Sequence, residues 1–90
     1  MTDEITVASM GQKRFHKPVV IQLGRIDRDR VVTCVFDAST ILLRDWRHDD
    51  ESRLRAMSAC LAVIKGERPP SFARHAFVKA AEAARVLLSD

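Results

Sequence analysis

Apolar positions along the chain fall into two kinds of spacing, and the change between them occurs near residue 37. From Lys17, two stretches are rich in β-branched residues: Pro18-Val19-Val20-Ile21-Gln22-Leu23 and Arg30-Val31-Val32-Thr33-Cys34-Val35-Phe36. The polar segment Gly24-Arg25-Ile26-Asp27-Arg28-Asp29 joins them. Two such runs with a short polar link containing glycine predict a β-hairpin, with strands at 18–23 and 30–36. Pro18 suits the first residue of a strand, where a missing N–H matters least.

Beyond Phe36 the period becomes helical. Asp37 is a predicted N-cap, accepting from the N–H of Ser39 or Thr40. Ala38, Ile41, Leu42 and Trp46 share a face, which predicts a helix over 38–46. Asp49-Asp50-Glu51 places acids where a helix start favours them. Leu54, Met57, Leu61 and Ile64 then recur at three- and four-residue intervals as the expected core stripe, widened by Ala56, Cys60 and Val63. Gly66 sits at a C-cap position and Pro69-Pro70 follow, so this second helix covers 50–65. A third is expected over 70–88, with Phe72, Ala73, Ala76, Phe77, Ala80, Ala84 and Leu87 on its apolar face. The predicted architecture is α+β, a β-hairpin and three helices in the order β-β-α-α-α.

Residues 1–14 carry little apolar material and read as a flexible N-terminal arm, although Ile5 and Val7 alternate as a short strand would. Residues 15–90 form one compact domain, the amount that a chain of 90 residues allows. A lone hairpin leaves strand edges unpaired. Either the Ile5–Val7 region adds a strand or two chains pair their sheets, so a homodimer is expected.

The second half of the chain also resembles a known family. Ala59-Cys60-Leu61, Gly66, Pro70, Ala73-Arg74-x-Ala76-Phe77 and Ala80-Ala81-x-Ala83-Ala84, taken in order, are similar to the small bacterial proteins grouped as domain of unknown function 982, found mainly in rhizobia and related soil bacteria. The resemblance covers roughly residues 15–86. It includes the Pro-Val strand, the Val-rich strand, Asp37-Ala38 and the closing tryptophan. Two positions depart from the family pattern. Arg47 follows Trp46 where proline is usual, and Arg85 stands where glycine is common, which implies a different loop and a longer final helix. The resemblance implies a fold and no chemistry.

Composition narrows the function classes. Hydrophobic residues make up 47% and charged residues 30%, with a net charge of +3 and a pI near 9.3. This basic excess is mild, and between Arg44 and Arg55 four arginines are balanced by four acids. Cys34 and Cys60 lie in apolar runs, as buried free thiols do. The N-terminus Met-Thr-Asp-Glu lacks the apolar stretch of an export signal, and no apolar run approaches a membrane span. A cytoplasmic protein without membrane contact is expected.

Catalysis and metal binding find no support in the pattern. His16, His48 and His75 are far apart, and the cysteines lack the close pairs of a zinc site. There is no Gly-x-Ser-x-Gly turn and no glycine-rich phosphate loop. No catalytic, cofactor-binding or metal residue is assigned, no cofactor is expected, and the chain reads as a non-enzyme.

The candidate interaction surface comprises Arg25, Arg28, Arg30, Trp46 and Arg74. The three hairpin arginines could follow a phosphate backbone, which makes weak nucleic-acid binding an alternative. Asp27 and Asp29 dilute that field, so a solvated charged turn is the favoured reading of these arginines. Trp46 reads as a core lid or as the wall of a ligand or partner pocket. Arg74 reads as paired with an acid such as Asp37 or Glu67, its stem covering the core, or as an anion ligand of a small-molecule binder. The leading expectation is a protein-interaction or regulatory module, homodimeric, with its surface on the hairpin edge and the Trp46–Glu51 loop.

Overall fold

A computed structural model of the chain describes residues 13–90. Strand β1 (Arg14–Ile21) pairs antiparallel with β2 (Arg30–Cys34) and with β3 (Leu87–Ser89), giving the sheet order β2-β1-β3. Between β2 and β3 run three helices: α1 (Val35–Thr40), which passes into a π-helical turn at Ile41–Asp45, α2 (Glu51–Ile64) and α3 (Pro70–Ala83). The α+β class and the strand-strand-helix-helix-helix order stand, and a third strand follows them.

The hairpin differs from expectation at both strands. β1 begins at Arg14, four residues before Pro18. Its pairing with β2 shifts register between Arg14 and Val19, and Pro18 falls inside that irregular stretch. A bulge is where a central strand tolerates a residue with no N–H to give. β2 ends at Cys34, so Val35 and Phe36 open α1. The N-cap is Cys34, which offers no side-chain cap. Asp37 lies in the first turn and accepts a hydrogen bond from Thr33 Oγ1 at 3.3 Å.

The first helix also ends differently. Trp46 N–H donates to the Ile41 carbonyl at 2.9 Å, a five-residue step that closes the π turn. Trp46 itself has left helical backbone, with φ −70° and ψ 128°. α2 follows the expected rule at its start, since Asp50 accepts from Arg53 N–H at 3.1 Å.

The expected long third helix stops at Ala83, and the chain turns into β3. Arg85 takes φ +59°, its N–H donates to the Glu82 carbonyl and the Val86 N–H donates to the Ala81 carbonyl. These two bonds define a Schellman C-cap. α2 ends in the same way: Gly66 at φ +81° donates to Val63, and Glu67 donates to Ala62. Arg85 therefore marks a helix end, and β3 covers the free edge of β1, leaving β2 as an edge strand among the described residues. The Ile5–Val7 region lies outside the described residues.

The two caps differ in strain. Glycine meets no steric cost in the left-handed region, whereas arginine does. Arg85→Gly is expected to raise stability by about 0.5–1 kcal/mol in a urea melt. Gly66→Ala, at a position with open space around a Cβ, is expected to lower it by about 1 kcal/mol through backbone strain alone.

The core lies between the sheet and the helices. Phe15, Val19 and Ile21 alternate inward from β1, Val32 joins them from β2, and Val35, Ala38, Ile41 and Leu42 close from α1 and its π turn. α2 contributes Ala56, Ala59, Cys60 and Val63, while α3 contributes Ala73, Phe77, Val78, Ala80 and Ala81. The α2 stripe is thus a correction. Leu54, Leu61 and Ile64 point outward, with 57%, 52% and 37% of their surface exposed. Phe72, expected in the core, is exposed as well. Small residues face inward on both α2 and α3, which lets the two helices approach closely, whereas a leucine row at that contact would hold them apart.

Candidate functional site

Two surface features stand out, and the first is a groove beside the hairpin turn. The Asp27 N–H donates to the Gly24 carbonyl at 3.1 Å, and Gln22 Nε2 donates to the Asp27 carbonyl at 2.9 Å. The turn thus fixes Asp27, which pairs with Arg47 Nη2 at 3.0 Å. A Cβ on Gly24 would stand 2.7 Å from Asp27 Oδ2 and 2.9 Å from Arg47 Nη1, so a side chain at 24 would push this ion pair aside. Arg47 is what ties the Trp46 loop to the turn.

Across the groove Arg30 Nη1 meets Asp45 Oδ2 at 3.3 Å. Arg28 and Arg44 complete the lining with Leu23 and Trp46, around a volume of about 600 Å³. The Trp46 ring packs on Phe77 with centroids 5.7 Å apart. Its Nε1 is buried with no acceptor among the described residues, so packing rather than a hydrogen bond sets the ring's place. Arg53 braces the loop from beneath, donating through Nε to the Leu42 carbonyl at 2.9 Å and pairing with Asp49 at 3.4 Å.

Of the residues expected at an interaction surface, Arg28, Arg30 and Trp46 come together here. Arg25 lies on the other side of the turn, near His48 and Arg85. Arg74 lines neither and pairs with no acidic side chain among the described residues. It donates through Nε to the Lys17 carbonyl at 2.9 Å and through Nη2 to the Asp90 carbonyl. A guanidinium can serve two backbone acceptors at once, so Arg74 links β1 to the C-terminus rather than meeting Asp37 or Glu67. Arg44 and Arg47 were not singled out from sequence. Their balanced charge run concealed them, because an acid four residues away on paper need not be the acid that a side chain meets.

The second feature is the outward face of α2. Leu54, Met57, Leu61 and Ile64 have the spacing of a helix–helix seam. Met57 is half-buried and the other three are exposed. Glu51 stands at the start of this face and Lys65 at its end.

The cysteines are free and buried. Burial pushes the Cys60 thiol up to about 12 from an ordinary 9.0. A thiol held neutral in this way is a poor nucleophile. A thiol-reactive reagent is expected to leave Cys60 unlabelled in the native protein and to label it in urea. The folded pKa lies above the unfolded one, so this contribution to stability is whole below pH 9.0 and is lost as pH rises through that value toward about 12. Among the described residues no three His, Cys, Asp or Glu side chains cluster as metal ligands would. No helix there is long and apolar enough to cross a membrane.

The fold and these surfaces define a small α+β domain whose exposed features are a basic groove and an apolar helix face. The chain belongs to the family described as "Protein of unknown function (DUF982)", whose model matches residues 17–88. It is also similar to an Agrobacterium tumefaciens protein whose structure was determined by NMR. The TM-score is 0.71 at 29% identity, over 88% of this chain and 79% of that one. A comparison with curated proteins gives no match.

Proposed function

We propose that this domain is a non-enzymatic, cytoplasmic interaction module that works as a homodimer, joined through α2. The observation that carries this reading is the exposed row Leu54, Leu61 and Ile64 on a helix whose other apolar face is already buried. The occupant that best suits the row is a second copy. An antiparallel pair about a two-fold axis sets Leu54 against the partner's Ile64 and Met57 against the partner's Leu61, covering both ends alike. The same arrangement brings Glu51 to the partner's Lys65, a charge match at the seam's flank, and opposes the two helix dipoles. A like-sense pair would instead set Glu51 beside Glu51.

The outer edge of β2, five residues long with Val31 exposed, offers a second copy less apolar surface and no charge match. Buried cysteines held as free thiols agree with a reducing compartment.

Sedimentation velocity tests the proposal. The native chain is expected to sediment as a dimer at high micromolar concentration. Leu61→Glu, at an exposed site, is expected to give a folded monomer. A native chain that stays monomeric, or a dimer indifferent to Leu61→Glu, would remove this reading.

A further inference from the structure

We propose that the groove between the hairpin turn and the Trp46 loop binds the phosphate group of a small phosphorylated ligand. The groove uses nothing from the exposed face of α2, so this stands apart from the dimer.

The charge of the lining is the first argument. Four arginines face two aspartates there. Both acids are committed: Asp27 to Arg47 at 3.0 Å and Asp45 to Arg30 at 3.3 Å. Arg28 and Arg44 have no acid partner among the described residues. The surplus is two positive charges, the complement of a phosphate monoester, which carries roughly −1.5 to −2 near neutral pH.

Donor geometry is the second. A guanidinium presents five N–H groups in a planar fork that matches phosphate oxygens. Arg30 and Arg47 each engage their aspartate through one terminal nitrogen, which leaves further N–H groups on both. The acids therefore orient two of the forks without consuming them.

Construction is the third. The groove sits on backbone that departs from regular structure to make it. The π turn at Ile41–Asp45 carries Arg44 and Asp45, and such turns are frequent at functional sites. Gly24 leaves room beside the turn for the Asp27–Arg47 pair, which a Cβ there would displace. Gln22 pins the turn from within. At about 600 Å³ the volume suits a small molecule, and Leu23 and Trp46 offer apolar surface to the part that bears the phosphate.

A polynucleotide fits less well. The arginines converge on one concavity rather than tracking a backbone, and the paired aspartates would repel successive phosphates.

Two-dimensional NMR titration at constant ionic strength tests the site, with inorganic phosphate, adenosine monophosphate and adenosine as probes. Saturable shifts are expected with phosphate and with adenosine monophosphate, tighter for the latter, and none with adenosine. They should centre on the side-chain Nε–H of Arg28 and Arg44 and on the backbone of Leu23 and Trp46. Arg28→Ala with Arg44→Ala is expected to weaken binding by about tenfold or more, since hydrogen bonds to charged groups carry that much. Its thermal midpoint should remain near the native one, because neither side chain has a hydrogen-bond or ion-pair partner among the described residues. Arg55→Ala, outside the groove and paired with Glu51, should bind as the native chain does. Absent saturation, or equal weakening by Arg55→Ala, overturns the proposal. So does binding of a single-stranded oligonucleotide without binding of either phosphate probe.

Discussion

Phe77→Ala is expected to destabilise the folded chain by about 3–5 kcal/mol, the range for emptying a fully enclosed aromatic site. Phe77 is the largest of the fully buried side chains. It projects from the middle of α3 into the core and supports the Trp46 ring. Its removal takes apolar area out of the core and withdraws the floor under the Trp46 loop. A chain of this length commands about 5–13 kcal/mol in all, so the variant should be partly unfolded near body temperature. Urea melts followed by circular dichroism measure the loss, with the midpoint moving and the slope unchanged. A loss below about 1 kcal/mol would mean that Phe77 does not fill the core as described.

Ala81→Leu should be the next most damaging, costing about 1–3 kcal/mol by overpacking. Ala81 is fully buried on α3, the helix that packs on α2. Additional carbons there must either part the two helices or drive neighbours off their rotamers. Leucine is the better helix residue in its own right, so propensity is not the cause of any loss. Leu54→Ala on the outward face of α2 is the contrast. At concentrations where the chain is monomeric it should cost well under 1 kcal/mol, because surface changes away from such features are nearly neutral. The urea midpoints of the two variants should therefore separate clearly. Similar losses would contradict the division of α2 into a small-residue core face and a large-residue outer face.

That division was the hardest part to see in advance. α2 carries two apolar rows, and periodicity alone favours the one with larger residues. The row that packs is Ala56, Ala59, Cys60 and Val63, because α3 presents alanines to it. Which row is buried depends on the partner helix, and that is not local information. The hairpin, the three helices and the Asp50 and Gly66 caps were legible because each rests on neighbouring residues. The end of α3 was hidden because arginine occupies a left-handed position that glycine would have announced. β3 was hidden with it, since Leu87 also suits a helical stripe.

The candidate site was legible in part. Arg28, Arg30 and Trp46 were singled out and do meet. Arg44 and Arg47 were read as neutralised by the acids around them in sequence. In the fold their surroundings are different: Arg47 reaches back twenty residues to Asp27, and Asp45 is taken by Arg30. Arg74 was legible as a residue with partners in the fold but not in which partners, since it meets backbone oxygens of Lys17 and Asp90 instead of Asp37 or Glu67.

Association through α2 is tested most directly by isotope-filtered nuclear Overhauser measurements on an equal mixture of labelled and unlabelled chains. Antiparallel pairing predicts contacts between the Leu54 methyls of one copy and the Ile64 methyls of the other, and between Met57 and Leu61. Intermolecular contacts confined to Val31 and its β2 neighbours, or none at millimolar concentration, would contradict it.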